Sequence, residues 1–289
     1  MKPSTGSGLA IKHVLMQDLT PRSDPEILIK KPIMLNEKFR LLRLVQSLLT
    51  GALLSLGGHV QAESMRWDIG LETGAVWQSY NDVQIPGDTG TRFSLADLAG
   101  DGPLPFFRLE LLYDLSDKHQ LRFLIAPLGY TEDGVLDKNV DFDGQTFTAG
   151  KSTEATYKFN SYRATYRYLF HNGQKWRWHV GGTLKIRDAE IALQQDGVSA
   201  SSTNVGIVPL LNLYGEYRFA NKWRFIVDFD GLASPQGRAL DLGLKVNYDI
   251  DKNWYLGGGL RVLEGGADND KVYNFSQFNY GVVSAGYRF

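Results

Sequence analysis

The stretch MRWDIGLETGAVW at 65–77 alternates without a break. Trp67, Ile69, Leu71, Thr73, Ala75 and Trp77 share one face of an extended chain, while Arg66, Asp68, Gly70, Glu72, Gly74 and Val76 share the other. A period of two is the repeat of a strand and scrambles both faces of a helix. The two Trp bracket the apolar row. At about 3.3 Å per residue and a tilt of about 40°, they stand roughly 25 Å apart along a barrel axis. That is the height of the apolar band on a transmembrane β-barrel, with an aromatic residue at each rim.

The alternation recurs at 107–115, 121–125, 162–170, 176–187, 207–219, 223–230, 240–250, 254–262 and 281–289. The expected fold is therefore all-β: a transmembrane antiparallel up-and-down β-barrel of about ten strands, with eight or twelve as the alternative counts. A soluble sandwich also alternates, but it has no reason to place aromatic residues at the ends of its apolar rows. Here Trp67, Trp77, Trp176, Trp223, Trp254, Tyr287 and Phe289 lie at such ends and form the expected interfacial girdle. Strand ends repeat as well. YDLSDKHQL (113–121), YLFHNGQKW (168–176), YRFANKW (217–223) and YDIDKNW (248–254) each carry Tyr, then an apolar residue two positions on, then a polar turn. The final GYRF repeats the strand end without the turn. These four tight turns are expected at one rim. Long connections near 79–103, 128–155, 188–205, 233–239 and 264–279 are expected at the other.

A last strand that alternates apolar and aromatic residues and stops on Phe289 resembles the assembly signal of Gram-negative outer-membrane proteins. The resemblance covers 63–289 as an architecture and singles out no one family within the class. It implies an outer-membrane location, contact with outer-membrane lipid and lipopolysaccharide, and reading of the terminal strand by the barrel-assembly machinery. The amino-terminal region agrees. Lys38, Arg40 and Arg43 precede an apolar run from Leu44 to Gly57, and Val60-Gln61-Ala62 is a small-residue cleavage site. Residues 34–62 read as a secretory signal peptide cleaved near Ala62, and 1–33 as a disordered upstream extension before Met34. Removing 1–62 leaves 23 basic against 28 acidic residues, a net charge of −5, which gives nucleic acid no electrostatic footing. Cysteine is absent, so disulfides and thiolate metal sites are excluded. No signal bears on oligomeric state, and no cofactor is expected.

The rows opposite the apolar faces carry both signs of charge. Glu72, Arg108, Glu110, Arg122, Arg163, Arg167, Lys185, Asp228, Asp230, Asp241, Lys245 and Arg261 all fall on inward positions. The lumen of a ten-strand barrel is only slightly wider than one that side chains fill, so these charges are expected to pair. A salt-bridged plug is the first reading and a narrow ion or solute path the second. Above it, the connection IPGDTGTRFSLADLAGDG (85–102) is too long for a plain loop. Phe93, Leu95 and Leu98 are spaced as one face of a short helix capped by Ser94. With Arg92 they form an expected lid, folded into the outer opening, from which Arg92 and Asp97 would reach the lumenal charges.

Catalytic and metal readings are weaker. Asp88-Thr89-Gly90 matches the aspartic-protease triplet, but that chemistry needs two such carboxylates and the triplet occurs once. Asn139, Asp141 and Asp143 partly resemble a calcium loop, but the closing Glu is missing and strand-like residues flank them. Asp143-Gly144 reads first as a hairpin turn. Ten-strand outer-membrane proteases place Asp pairs and an Asp-His couple at the outer lip, whereas His119, His171 and His179 fall at or near the opposite rim. The expected function is a non-catalytic outer-membrane barrel, acting as a narrow channel or in a structural and surface-interaction role. The alternative is an outer-membrane enzyme, a protease or lipid-modifying hydrolase, with a carboxylate site in its extracellular loops.

Overall fold

The structure, a computed structural model, describes residues 66–289. The proposed extension at 1–33 and signal peptide at 34–62 lie outside the described residues. Strand β1 (Trp67–Gln84) leads through a two-residue strand β2 (Phe93–Ser94) and a one-turn helix α1 (Leu95–Ala99) into β3 (Leu104–Ser116). Then come β4 (His119–Ala126) and β5 (Gly129–Val135), a small hairpin of β6 (Val140–Phe142) and β7 (Gln145–Phe147), and β8 (Ser152–Asn172). The remainder is β9 (Trp176–Gln195), β10 (Val198–Ala220), β11 (Trp223–Ser234), β12 (Gly237–Asp249), β13 (Trp254–Asn269) and β14 (Val272–Arg288).

Each long strand pairs antiparallel with its neighbours, and β14 returns to pair with β1 from Asp68↔Arg288 to Gln84↔Tyr273. The Phe289 N–H donates to the Trp67 carbonyl at 2.9 Å, so the last residue completes the seam. β4 and β5 both pair with β8 and form one barrel strand interrupted at Pro127-Leu128. The closed transmembrane barrel therefore has ten strands. Four tight turns and both barrel termini lie at one end, called here the terminal end; the other is the distal end.

The rim at the terminal end is a ladder of in-register aromatic pairs. Trp67 faces Tyr113, Trp176 faces Tyr217, Trp223 faces Tyr248 and Trp254 faces Tyr287, with ring centroids 4.3, 4.5, 4.9 and 4.7 Å apart. The repeated Tyr at strand ends thus pairs across to the residue that starts a neighbouring strand. In the turn before β13, Asp251 accepts from the Asn253 and Trp254 N–H groups at 2.8 Å. Those two bonds hold its carboxyl below the usual carboxylate value.

Outward apolar residues encircle the barrel and stay uncovered: Ile207 is 73% and Leu260 68% exposed. A water-soluble protein does not leave so continuous an apolar belt open. Toward the distal end the pattern changes sides. On β9, Leu184 and Ile186 point outward, but further up Asp188 and Glu190 point outward while Ile191 and Leu193 are buried inside. β14 behaves likewise: Val283 is outward and exposed, whereas Val282, Tyr280 and Phe278 are inward and buried. The apolar face meets lipid within the belt and the barrel interior beyond it.

This reversal corrects the expected long connections at 188–205, 233–239 and 264–279. β9 and β10 run on to a two-residue turn at Asp196-Gly197, β13 and β14 to one at Asp270-Lys271, and β11 and β12 to a short turn at 235–236. They are tall hairpins whose alternation inverts as the strand leaves the lipid. Among the described residues, only the segments between β1 and β3 and between β5 and β8 are true loops, and they fold into the mouth. There Leu95, Leu98, Phe93, Val140, Phe142 and Phe147 join wall residues Val76, Tyr157, Ile191, Leu193, Phe278 and Tyr280 in one buried apolar core.

Candidate functional site

The middle of the lumen is filled by charge. Asp228 and Asp230 share the inward face of β11, and Asp241 on β12 stands directly opposite Asp230 in register. Like charges placed so repel, so cations from other walls must compensate. Arg122 on β4 donates from Nη1 to Asp228 at 2.9 Å and from Nη2 to Asp230. On β8, Arg167 Nη2 reaches Asp228 at 2.8 Å, and Arg163 bridges Asp230 and Asp241 at 2.7 Å each. These contacts span the lumen, since β4 and β11 are four places apart round a ring of ten. Thr183 and Asn212 donate to the remaining Asp230 oxygen at 2.7 and 2.8 Å.

A second group continues the layer. Arg261 donates to Asp241 at 2.5 Å and lies 3.2 Å from Glu72 and 3.4 Å from Asp228. Lys245 Nζ meets Glu72 at 2.5 Å, and Arg108 meets Asp241 at 3.1 Å. Arg108 Nε also stands 3.3 Å from Glu72, close enough for charge attraction but not aligned as a hydrogen bond. Glu110 is at the edge, 3.8 Å from Arg122. Lys185 is in the lumen but stands apart: its ammonium lies 4.6 Å over the Phe159 ring and makes no ion pair among the described residues. Arg167 and Arg122 are 0% and 1% exposed, so no water-filled path touches them.

The distal loops form a second layer. Ser94 caps α1 by accepting from the Asp97 N–H at 3.1 Å, and Phe93, Leu95 and Leu98 are buried. Phe93 packs edge-on to Phe142 of the β6–β7 hairpin at 6.0 Å. The two loops are also bonded through backbone: Thr91 N–H to the Asp141 carbonyl and Asp143 N–H to the Ile85 carbonyl, both 2.9 Å. Gly134 on β5 lets α1 approach, since a Cβ there would lie 1.6 Å from the Leu98 carbonyl oxygen. Arg92 and Asp97 do not reach the lumenal charges. Arg92 faces outward, 3.6 Å over the Tyr273 ring and bonded to Gln84, and Asp97 is exposed beside its cap. The short helix turns its apolar face inward and leaves its polar residues outside.

Asn139, Asp141 and Asp143 belong to that hairpin. Asp143 and Gly144 take positive φ values of 46° and 78° at its turn, Asp141 accepts from Thr146 Oγ1 at 2.6 Å, and Asn139 Oδ1 accepts from the Ala149 N–H at 2.9 Å. Among the described residues, no group of three or more acidic or His side chains is arranged to hold a metal. Asp88 is in a turn closed by Gly90 N–H to the Pro86 carbonyl at 2.9 Å. His119 Nδ1 lies 2.6 Å from Tyr166 Oη.

One feature had no clear sequence signal. At the terminal end the lumen opens into a polar cavity of about 320 Å³, lined by residues including Arg177, His179, Tyr214, Glu216, Arg224 and Lys252. Alternation places Arg177 and His179 inward, but it does not show that they share a cavity with Lys252, which lies in the turn between β12 and β13, across the ring from β9.

No protein-family model matches the chain, and no curated protein is detectably similar in sequence. Among solved structures, it is similar to the outer membrane protease OmpT from Escherichia coli at 12% identity and TM-score 0.43, covering 79% of this chain and 99% of that one. It is similar to Ail, the attachment invasion locus protein of Yersinia pestis, at 12% identity and TM-score 0.38, covering 78% and 100%. Neisserial surface protein A follows at 14% identity and TM-score 0.34, covering 77% and 97%. Similarity at this level assigns neither family nor function.

Proposed function

We propose that the chain is a closed outer-membrane barrel of a Gram-negative bacterium that does not conduct, and that its role is structural or exerted through its two ends. The observation that carries this reading is the double seal: a mid-lumen charge network whose central members Arg122, Arg163, Arg167, Asp230 and Asp241 are buried, beneath an apolar core in the distal mouth. An ion path needs lining groups in contact with water, and the central groups of the network contact each other instead. The apolar belt, the aromatic rim and the carboxy-terminal Phe289 support the outer membrane as the location. They also support lipid and lipopolysaccharide as surroundings and the barrel-assembly machinery as the partner that reads β14. Cleavage after Ala62 follows from the same reading, and amino-terminal sequencing of membrane-extracted protein should begin at Glu63.

Planar-bilayer recording tests the seal. The intact barrel should give no steady conductance, and deleting 88–99 should not open it, because the charge layer lies below the loops. Ohmic, ion-selective steps from the intact protein would restore the channel reading.

A further inference from the structure

We propose that the cavity at the terminal end is a binding site for a small multiply charged oxyanion of the phosphate-ester kind. Its volume of about 320 Å³ is at the lower end of the range for small-molecule sites. Six cationic side chains line it against three carboxylates, Asp68, Asp114 and Glu216. Asp249, just outside the lining, pairs with Arg224 at 2.8 Å and Arg288 at 3.1 Å, and with it counted the cations still exceed the carboxylates by two.

The three carboxylates already have partners. Glu216 is held between Arg218 and Arg224 at 3.0 Å each, Asp68 accepts from Tyr255 at 2.9 Å, and Asp114 accepts from Gln120 at 2.8 Å. Arg177 and Lys252 are left without an ion pair among the described residues. At the floor, His179 is only 7% exposed, and its Nδ1 has no hydrogen-bond partner. Arg177 Nε is likewise buried and unpartnered. Neither atom opens onto the cavity as it stands, so the attraction for an anion comes from the excess of cations, with Arg177 and Lys252 committed to no carboxylate among the described residues. A tetrahedral oxyanion offers several acceptors at once, as this cluster of donors requires. The exposed rim residue Lys252 leaves the cavity open to the compartment at that end.

The inference is independent of conductance and requires only the folded barrel. The test uses the complete membrane-extracted protein in detergent, labelled with ¹⁵N-histidine. Inorganic phosphate and glycerol 3-phosphate are titrated against chloride at matched ionic strength. The phosphates should shift the His179 imidazole resonances saturably. Arg177→Gln should weaken that response about tenfold or more, as expected for losing a charge-assisted bond. Arg238→Gln, at the distal end, should leave it unchanged. Lys252→Gln, on an exposed turn, gives the same reading should Arg177→Gln fail to fold. An equal response to chloride, no saturation, or an undiminished response in both cavity variants would overturn the proposal.

Discussion

Replacing Asp241 with Asn keeps the side chain's shape and removes one charge from the centre of the lumen. Three arginines converge on that carboxylate: Arg108 at 3.1 Å, Arg163 at 2.7 Å and Arg261 at 2.5 Å. Each keeps another acid. Arg163 retains Asp230, Arg108 retains Glu72, and Arg261 retains Glu72 and Asp228. The variant also relieves the in-register repulsion between Asp230 and Asp241. Breaking a buried pair costs about 3–5 kcal/mol, mostly by stranding the surviving charge. Since no arginine is fully stranded, Asp241→Asn should fall near the low end, about 3 kcal/mol. Asp228→Asn should cost more, because Asp228 is the sole ion-pair partner of fully buried Arg167 among the described residues. Replacing both members of that pair, as Arg167→Met with Asp228→Leu, should recover much of the loss, since no lone charge is then buried. The assay is denaturant unfolding of the vesicle-embedded barrel followed by Trp fluorescence. The reasoning fails if Asp241→Asn costs as much as Asp228→Asn. It also fails if both stay within about 0.5 kcal/mol of the parent, the scale of an exposed pair.

Two further variants probe the ends. Gly134→Val should push α1 off β5 through the Leu98 carbonyl, and limited proteolysis on intact cells should then cut 88–102 faster while the barrel core stays intact. Deleting Phe289 removes one rim aromatic and the backbone bond to Trp67; it should lower the amount of barrel in the membrane while refolding yield in detergent changes little, and equal losses in both would mean ordinary packing.

The barrel was legible because lipid and lumen impose opposite demands on alternate residues, and rows such as Trp67 to Trp77 record both. The tops of the strands were not legible. Above the belt, water replaces lipid outside and apolar loops replace charges inside, so the rule inverts. Ile191, Leu193, Phe278 and Tyr280 then look like breaks in the pattern when they are its continuation. Inward placement of Arg122, Arg163 and Asp228 followed from parity, but their pairing depends on which strands face one another across the lumen, which parity does not encode. The helix at 95–99 was readable from local rules of capping and spacing. The outward turn of Arg92 depends on Tyr273, 181 positions away in the chain and adjacent only after β14 closes on β1.

The absence of cysteine makes the seal itself directly measurable. Ser161 is inward on β8, 2% exposed, with its hydroxyl accepting from Arg163 Nε at 3.0 Å. Ser161→Cys is nearly isosteric and places a single thiol between the two layers. Asp196→Cys places one in the exposed distal turn of β9 and β10. On intact cells treated with a charged, membrane-impermeant thiol reagent, Asp196→Cys should label rapidly and Ser161→Cys should stay unlabelled until the protein is unfolded. Labelling of both at comparable rates would show water and solute passing the distal core, and the account of a sealed barrel would be wrong.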